Sequence, residues 1–497
     1  MNTKILDCTL RDGGYYTNWD FNSNVIKDYI KYTNDLELEF IEIGYRNKKN
    51  LKEYKGQFYY TPKHTLKYFS KKSKHKIALM IDYKSIKTSE IRDLLLDAKE
   101  YVSLIRVAVA PNNLQNIQSF IDEIKTMGFK VALNIMYMSK WELDSIKISL
   151  SKIINLDYIY LVDSYGSVFP DYLENIITEL KKVTNSKLGF HSHDNIELAF
   201  SNTLTAIKNK IDIVDSTILG MGRGSGNLKT ELLMIKIYSD SVDKHKIYDA
   251  LANLVDAFTP LKEKFNWGSD ISYKFAGINS YPQKDIMFLK LSKNYKFSQI
   301  LSHFEKDKSK NYKLEDISSK NTKNSFDTII IGGGESILQH KFALTKFLEN
   351  HENYNIILSS SKCSELIKPS FVNCYQIVMG SDISRLNDSI IKNVKYIFPI
   401  DNVKSENKNF YSLKIKNEDK HEVNHLFSSI ILTTNITNSK NILLAGFDGF
   451  DQDDNFFNVF KANEFILKSF KKKLNILSLT DTKYSLIVDS IYSKLCK

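Results

Sequence analysis

The segment Asp7-Cys8-Thr9-Leu10-Arg11-Asp12-Gly13-Gly14 dominates the fold prediction for the N-terminal half of the chain. It follows the apolar run Lys4-Ile5-Leu6 and ends in two glycines, a pattern typical of a buried strand that breaks into a loop. Arg11 and Asp12 stand where the backbone leaves that strand. A guanidinium can hold an oxyanion, and a carboxylate can bind a hard metal ion. The segment therefore predicts a functional site at the end of the first strand.

Short β-rich runs alternate with longer amphipathic segments from residue 4 to about residue 235. This alternation predicts a parallel sheet, and eight units over roughly 250 residues fit a closed (β/α)8 TIM barrel. An open doubly wound sheet is the alternative, although it usually has fewer strands. In a barrel, functional residues lie at the carboxyl ends of the strands. The predicted strands are 5–9, 40–44, 76–81, 102–108, 130–135, 158–162, 187–193 and 211–216, and the last is followed by a helix at 230–239.

The composition is that of a soluble globular protein. The chain has 497 residues, of which 42% are hydrophobic and 26% charged, and this length predicts at least two domains. The net charge of +11 comes mostly from scattered lysines, without the basic stripe and interleaved aromatics of a nucleic-acid surface. The four cysteines lack a CxxC spacing, which argues against a zinc ribbon or a disulfide framework. No apolar run approaches the ~20 residues of a membrane span, and no signal peptide is recognised, so we expect a cytoplasmic protein.

The triplet His191-Ser192-His193 ends the predicted seventh strand. Residues i and i+2 of a strand point to the same side, so both imidazoles are expected to face the barrel mouth. Two histidines of one strand and a carboxylate of another form a two-His-one-carboxylate metal set. Alone, the triplet could equally be a hydrogen-bonded core pair. Arg11 and Asp12 are predicted at the end of the first strand, on the same side of the barrel as the two histidines, and this favours the metal site.

The predicted eighth strand leads into the glycine-rich segment Gly220-Met221-Gly222-Arg223-Gly224-Ser225-Gly226-Asn227. A glycine-rich turn before a helix can bind phosphate, but this segment is neither a P-loop nor the dinucleotide fingerprint. Its glycines also allow the backbone to pass close to a site. There Asn227 would offer an oxygen ligand, with Glu231 about one helical turn later.

Together, the motifs at 7–13, 191–195 and 220–227 resemble the DRE-TIM metallolyase family. That family includes 3-hydroxy-3-methylglutaryl-CoA lyase, 4-hydroxy-2-oxovalerate aldolase, and the isopropylmalate and homocitrate synthases. The resemblance covers about residues 1–290, with the motifs in family order. It implies an enzyme that makes or breaks a carbon–carbon bond through a metal-stabilised enolate of a 2-oxo acid or related carbonyl substrate. The implied divalent ion (Mn, Mg, Co or Zn) would be bound by Asp12, His191, His193 and, as a fourth ligand, Asn227.

The resemblance also implies catalytic residues. Arg11 would stabilise the developing oxyanion, and Glu42 and Asp163 match positions that line the family's pocket. The hydroxy-oxovalerate aldolases carry a histidine base shortly after the Arg-Asp-Gly sequence, where this chain has Tyr15 or Tyr16. An ordinary tyrosine has a pKa near ~10. Tyr15 would therefore need a strongly lowered pKa to act as the base.

Three further segments are predicted beyond the barrel. Aromatic and leucine residues at helical spacing predict a helical extension at 241–305, so the barrel itself is assigned to 1–240. A polar stretch at 306–325 is interpreted as a linker. Residues 326–497 are predicted to form a Rossmann-like α/β domain, with strands at 328–331, 355–359, 374–379, 429–433 and 442–446.

This C-terminal domain resembles the nucleotide-sugar-handling and MptE-like Rossmann domains, whose first strand ends in a GxGxS turn. Here that turn is formed by Gly332, Gly334 and Ser336. The resemblance implies a nucleotide or nucleotide-sugar bound at the turn. A purely structural domain is the alternative.

Several functions stay open at this point. A Claisen-type synthase that joins an acyl-CoA to a 2-oxo acid would use the same metal site, because it also needs an enolate. An iron oxygenase fits the ligand count alone. A non-catalytic barrel scaffold with a C-terminal ligand-binding module is the non-enzymatic alternative. The fusion is similar to bacterial polysaccharide-pathway fusions, which predicts sugar or surface-glycan precursor biosynthesis, and the family resemblance implies a homo-oligomer.

Overall fold

The structure of the chain is a computed structural model. Its contacts divide the chain into two units, Met1–Ile286 and Met287–Lys497, which are described separately. The residues that it describes are 3–49, 54–242, 244–291, 297, 314–320, 323–350, 353–368, 370–379, 391–399, 407–415, 423–451, 454 and 456–496.

Eight parallel strands close into a barrel in the first unit. They are β1 (Lys4–Asp7), β2 (Phe40–Tyr45), β3 (Lys76–Asp82), β4 (Val102–Val109), β5 (Lys130–Ile135), β6 (Tyr158–Asp163), β7 (Lys187–Ser192) and β8 (Ile213–Ser216). Each strand pairs with its neighbour in sequence, and β1 also pairs with β8, with Lys4 opposite Ile213. The predicted TIM barrel is therefore confirmed, and the open-sheet alternative is wrong.

Helices surround the barrel and extend beyond it. The connecting α-helices are Ser23–Thr33, Lys63–Lys72, Ile91–Leu95, Gln118–Thr126, Leu143–Leu150, Pro170–Leu180, Ala199–Lys208 and Thr230–Ile237, followed by Lys244–Phe265, Ile271–Ile278 and Gln283–Leu291. Shorter α-helical turns are Thr9–Asp12, Gly14–Thr17 and Gln57–Tyr60, and the 3-10 turns are Tyr83–Ser85, Thr88–Glu90, Leu96–Ala98, Pro111–Asn116, Met138–Lys140 and Ile218–Gly220. Across the described residues, none of the helices has both the length and the apolar character needed to span a bilayer.

The inward side chains of the strands form an apolar layer with a polar layer above it. On β4, Leu104 belongs to a buried apolar cluster in the barrel interior, and Arg106 follows two residues later. On β8, Ile213 and Asp215 repeat this order. Because positions i and i+2 share one face of a strand, the charged residues lie inside the barrel, towards the carboxyl ends of the strands. This layering places the polar site at the expected end of the barrel.

Strand β1 ends earlier than the predicted 5–9. The Asp7 carboxylate accepts hydrogen bonds from the backbone N–H and the hydroxyl of Thr9, both at 3.0 Å. These bonds favour a turn over continued strand pairing. Arg11 and Asp12 consequently lie on the helical turn Thr9–Asp12 instead of directly at the strand end.

The second unit contains an open parallel sheet. Its described strands are β9 (Asp327–Ile331), β10 (Tyr354–Leu358), β11 (Cys374–Ile377), β12 (Val394–Phe398), β13 (Phe410–Ser412), β14 (Asn441–Ala445), β15 (Asn475–Ser478) and β16 (Ile487–Val488). They are ordered β13-β12-β11-β10-β9-β14-β15-β16, so the strand order reverses between β9 and β14. The described helices are Ile317–Lys320, Ser336–Gln339, Lys341–Asn350, Ser361–Leu366 (3-10), His425–Ile436, Phe457–Phe470 and Ile491–Leu495. The predicted α/β class is confirmed.

The predicted strand at 429–433 is wrong, because these residues lie within the helix His425–Ile436. The side chain of Asn424 caps this helix by accepting a hydrogen bond from the N–H of Phe427 at 2.8 Å. Ile430 and Leu432 are both fully buried. A short apolar run rich in β-branched residues does not distinguish a buried strand from a buried helix.

The predicted domain limits stay predictions. Within the proposed linker at 306–325, Asp316 forms a bridge with Ser412 of β13, and Ile317 is buried. This part of the linker therefore packs within the second unit. Of the proposed helical extension, residues 292–296 and 298–305 lie outside the described residues.

All four cysteines are free, and only Cys496 is exposed. Burial raises the pKa of Cys363 to about 11 and that of Cys374 to about 12, and it raises the pKa of Cys8 well above its usual range. Almost no thiolate then forms at these three residues near about pH 8. Iodoacetamide is therefore expected to modify Cys496 alone in the native protein and all four cysteines in guanidinium, as counted by mass spectrometry. Rapid modification of Cys8 without denaturant would contradict its position in the barrel.

Candidate metal centre at the barrel mouth

Asp12 is the carboxylate around which the polar cluster is arranged. Its Oδ2 lies 3.6 Å from Nε2 of His191 and accepts a hydrogen bond from Nδ2 of Asn227 at 2.8 Å. Arg11 donates a hydrogen bond from Nη1 to the other carboxylate oxygen. Burial alone would raise the pKa of Asp12, but the charge of Arg11 and the hydrogen bond from Asn227 act in the opposite direction, and the pKa is lowered overall. Asp12 is therefore ionised and able to bind a cation.

Hydrogen bonds at Nδ1 orient both histidines of the predicted set. Nδ1 of His191 lies 2.9 Å from Oδ2 of Asp215, and Nδ1 of His193 lies 2.8 Å from the backbone oxygen of Asp163. Because both partners are acceptors, each Nδ1 donates the hydrogen bond, which directs each Nε2 towards the cluster. Burial lowers the pKa of His193 to about 3, so this imidazole is neutral. Each side chain thus presents Nε2, the ring nitrogen through which it would bind a metal.

The donor set fits a divalent metal ion. The imidazole rings of His191 and His193 are 5.0 Å apart between centroids. Oδ1 of Asn227 is buried and accepts no hydrogen bond from the described residues, and a cation would satisfy this oxygen. Carboxylate, imidazole and amide ligands suit Mn, Mg, Co or Zn to different degrees. Asp12 thus lies next to His191 and Asn227, and His193 lies next to His191 and pairs with Asn227, although metal binding by each of the four stays a prediction.

Cys8 also faces this cluster and is absent from the predicted ligand set. Potential ligand atoms of Cys8, Asp12 and His191 all lie within 4.8 Å of one another. Burial and the neighbouring Asp12 raise the pKa of the thiol well above its usual range. Because the thiolate is the form that binds metals, the protonated Cys8 is a weaker donor than the carboxylate and the imidazoles.

A buried network of charges lies beneath the candidate metal centre. Oε2 of Glu42 accepts hydrogen bonds from Nε of Arg11 at 2.7 Å and from Nη1 of Arg106 at 3.1 Å. Nη2 of Arg106 donates to Oδ2 of Asp215 at 2.5 Å. Glu42, predicted as catalytic, is fully buried and orients the two arginines. Arg106 and Asp215 are missing from the predicted site, although a charged residue inside an otherwise apolar strand is the signal that could have identified them.

Asp163, also predicted as catalytic, directs its carboxylate into the loop after β6. This carboxylate accepts hydrogen bonds from the backbone N–H groups of Ser167 at 2.9 Å and Val168 at 3.1 Å. Burial raises the pKa of Asp163 to about 6 even though these bonds act in the opposite direction. The side chain of Asp163 thus stabilises the loop after β6, while its backbone oxygen orients His193. A catalytic role for Asp163 stays a prediction.

Tyr15 and Tyr16 have different surroundings. The hydroxyl of Tyr15 lies 3.1 Å from that of Tyr45, at the end of β2. Burial and Tyr15 raise the pKa of Tyr45, whereas Arg11 acts to lower it. Tyr16 instead donates a hydrogen bond to the backbone oxygen of Gly224 at 3.2 Å, and burial raises its pKa to about 12. Of the two tyrosines, Tyr15 is the one paired with a second hydroxyl near Arg11.

The glycine-rich loop 220–227 passes very close to the candidate metal centre. A Cβ atom on Gly222 would lie only 2.4 Å from Nδ2 of Asn227. Gly226 has a φ of +84°, and its backbone oxygen accepts a hydrogen bond from the N–H of Asp194 at 2.9 Å. These glycines therefore allow the backbone to pass close to the candidate metal centre, as the sequence predicts. Glu231 lies behind the loop, where its carboxylate accepts a hydrogen bond from the N–H of Leu219 at 3.0 Å.

In the second unit, the predicted cofactor residues form the turn after β9. The N–H of Ser336 donates to Oδ2 of Asp448 at 2.9 Å, and its hydroxyl donates to the other carboxylate oxygen. A Cβ atom on Gly334 would lie 2.6 Å from this carboxylate. Asp448 thus occupies the position where a Rossmann-type turn would hold a phosphate. Nucleotide binding by Gly332, Gly334 and Ser336 stays a prediction, and a phosphate there would have to displace this carboxylate.

The Asp215→Asn variant is expected to bind divalent metal about 10- to 100-fold more weakly, because His191 loses the carboxylate that orients it. Calorimetric titration of the metal-free protein with Mn²⁺ measures this change. Asp212→Asn is the matched control, since Asp212 accepts a hydrogen bond from the N–H of Leu188 before β8 begins. Equal Mn²⁺ affinity in Asp215→Asn and the wild type would contradict the proposed orientation of His191.

The model of the HMGL-like family matches residues 2–256 of the chain, which contain the whole barrel. The chain belongs to the HMGL-like family. This membership confirms the resemblance to the DRE-TIM metallolyases and the prediction of an enzyme of the carbon–carbon lyase type.

Individual proteins are also similar to part of the chain. Oxaloacetate decarboxylase of Mycobacterium tuberculosis is 23% identical over 283 residues, which cover 56% of this chain and 83% of the relative. 4-Hydroxy-2-oxovalerate aldolase of Thermomicrobium roseum is 26% identical over 267 residues, which cover 52% of this chain and 74% of the relative. The solved N-terminal domain of a candidate aldolase from Bacteroides vulgatus is 43% identical with a TM-score of 0.55, covering 60% of this chain and 99% of that domain.

Proposed function

We propose that the protein is a divalent-metal-dependent aldolase, which makes or breaks a carbon–carbon bond beside the carbonyl group of a 2-oxo acid. The observation that carries this proposal is the arrangement of Asp12, His191 and His193 beside Arg11 at the barrel mouth. When bound there, a divalent metal supplies a Lewis acid for the oxygens of a 2-oxo acid, which lowers the cost of enolate formation.

The charges of the buried cluster support a bound cation. Its carboxylates belong to Asp12, Glu42 and Asp215, all of which are buried. Its guanidinium groups belong to Arg11 and Arg106. Within this hydrogen-bonded network, which does not include Arg223, three carboxylates face two arginines, and a bound cation would offset that difference.

Arg11 is proposed to stabilise the developing oxyanion. Its Nε and Nη1 are held by Glu42 and Asp12, whereas its Nη2 donates to no described residue. A guanidinium that is fixed in this way presents its remaining N–H groups without further reorganisation. Arg11 would thus contribute most when negative charge develops on the substrate oxygen.

Tyr15 is proposed to transfer the proton to or from the substrate hydroxyl, and its hydrogen-bonded partner Tyr45, whose pKa is raised by burial, would act as the proton donor of the pair. Cleavage removes the proton from this hydroxyl and later adds one to the enolate carbon, so a hydroxyl pair can act as donor and acceptor. Tyr15→Phe is expected to lower turnover about 10²- to 10⁴-fold while metal binding is retained. Tyr68→Phe is the matched control, because Tyr68 is exposed on the helix Lys63–Lys72. Equal turnover in the two variants would contradict the role of Tyr15.

The biological setting belongs to the same proposal. A role in sugar or surface-glycan precursor biosynthesis is proposed from the fusion of the barrel to a second α/β unit. A cytoplasmic location and a homo-oligomeric state are proposed with it from the family resemblance. Size-exclusion chromatography with light scattering tests the oligomeric state, and a monomer would remove that part of the proposal.

Hydrogen exchange at the methyl group of pyruvate tests enolate formation without knowledge of the second substrate. In D₂O, the metal-loaded protein is expected to replace the methyl protons of pyruvate with deuterium, which is followed by NMR. Exchange is expected to stop after EDTA treatment and to return when Mn²⁺ is added. A metal-loaded protein that exchanges no protons would contradict the proposed aldolase function.

A further inference from the structure

Arg223 differs from the other described arginines because it forms no ion pair with any described carboxylate. Arg11, Arg46, Arg92 and Arg106 each form an ion pair with an aspartate or a glutamate. Among the described residues, none accepts a hydrogen bond from the guanidinium of Arg223, and its Nε atom is buried. A buried charged N–H group without an acceptor is costly. An anionic ligand would remove this cost.

Arg223 is held at the barrel mouth by the loop that carries it. Its guanidinium lies over the ring of Tyr15, with 4.9 Å between Cζ and the ring centroid. The neighbouring Gly222 of the same loop packs against Asn227, a predicted metal ligand, since a Cβ atom on Gly222 would lie only 2.4 Å from Nδ2 of Asn227. The guanidinium therefore contacts the proposed base, and the loop that carries it borders the proposed metal centre.

The loop around Arg223 is fixed on both sides. The backbone oxygen of Arg223 accepts a hydrogen bond from the N–H of Gly226 at 3.3 Å. The backbone oxygen of Gly224 accepts hydrogen bonds from the hydroxyl of Tyr16 and from the N–H of Gly268, both at 3.2 Å. Arg223 thus projects from an anchored loop, so little ordering would be needed when a ligand binds.

We propose that Arg223 binds a second anionic group of the substrate, a carboxylate or a phosphate on the aldehyde part. The 2-oxo acid part would occupy the metal centre beside Arg11, whose charge is already shared with Asp12 and Glu42. A planar guanidinium matches the oxygens of a carboxylate or phosphate in a bidentate arrangement. This inference rests on the proposed aldolase function and adds the chemical class of the second substrate.

The condensation direction gives a direct test. In each reaction, C3 of pyruvate loses a proton and bonds to the aldehyde carbon, and the aldehyde oxygen takes up a proton. Succinic semialdehyde is compared with butanal, and glycolaldehyde phosphate with glycolaldehyde, so each pair differs in its anionic group. The wild type is expected to show a higher kcat/KM for the anionic member of at least one pair, and that pair identifies carboxylate or phosphate as the group bound.

Arg223→Gln is expected to reduce this preference about 10- to 100-fold, the range for a hydrogen bond to a charged group, and Arg223→Lys is expected to keep part of it. Arg92→Gln is the matched control, because Arg92 is exposed and paired with Glu123. Metal content is measured in every variant. An unchanged preference in Arg223→Gln, or no preference in a wild type that exchanges pyruvate protons, would overturn the role of Arg223 and leave the aldolase function intact.

Equilibrium binding separates this inference from the proposed function. Succinic semialdehyde and glycolaldehyde phosphate are titrated calorimetrically into metal-loaded wild type and Arg223→Gln. Weaker binding to the variant supports an anion site at Arg223 even if no proton exchange or condensation is detected. Equal binding of both compounds to the two proteins would overturn it.

Discussion

The Asp12→Asn variant is expected to lose tight divalent-metal binding and about 10³-fold or more of its turnover. Lewis-acid stabilisation by a metal is worth several kcal/mol, and each ~1.4 kcal/mol is a factor of ten in rate. Asparagine keeps the shape of the side chain and can still accept a hydrogen bond from Asn227. It removes the negative charge that faces His191 and Arg11. The loss should therefore come from charge and not from packing.

Metal content after gel filtration and pyruvate proton exchange measure the two effects of Asp12→Asn. The matched control is Asp20→Asn, since Asp20 is exposed and accepts a hydrogen bond from Tyr54 outside the barrel mouth. Wild-type metal content together with wild-type exchange in Asp12→Asn would show that the catalytic cation is not bound at this carboxylate.

The Arg106→Met variant is expected to destabilise the barrel by about 3–5 kcal/mol. Arg106 is fully buried, and its guanidinium pairs with Glu42 and Asp215 and lies over the ring of Tyr160, 4.1 Å from its centroid. Methionine fills much of the same volume but leaves Asp215 without its arginine. Removal of one partner from a buried ion pair is costly because the remaining charge stays desolvated.

Tryptophan fluorescence during denaturation in urea isolates this effect of Arg106→Met. The three tryptophans of the chain, Trp19, Trp141 and Trp267, all belong to the first unit, so their signal follows the unfolding of this unit. Arg92→Met is the matched control, because an exposed ion pair is worth about 0–1 kcal/mol. A loss of less than about 1 kcal/mol in Arg106→Met would contradict the buried network.

The barrel could be predicted from the sequence because its strands are short apolar runs at regular spacing. For β5, the predicted bounds and those of Lys130–Ile135 coincide. The end of β1 could not be predicted as well, since it depends on the Asp7 side chain competing for the backbone of Thr9. The helix His425–Ile436 could not be predicted for another reason. Residues around much of this helix are buried, so its sequence lacks the helical spacing of apolar residues.

The residues of the candidate site could be predicted only where they belong to a short sequence motif. Asp12 and His193 belong to such motifs, and their neighbours in space follow from the barrel. The pairing of Arg106 with Asp215 joins residues that are 109 positions apart in the sequence. It depends on both side chains pointing inward at the same height of the barrel, which the sequence pattern does not specify. That Arg223 forms no ion pair likewise becomes apparent only when the ion pairs of all described carboxylates are known.

The most direct test of the account is the metal stoichiometry of the wild type and of His191→Ala, measured by equilibrium dialysis against Mn²⁺. We predict about one ion per chain in the wild type, as for a single two-His-one-carboxylate site. We predict its loss in His191→Ala, because one of the two imidazoles is removed. Unchanged Mn²⁺ content in His191→Ala would contradict the central claim that this cluster is the metal centre.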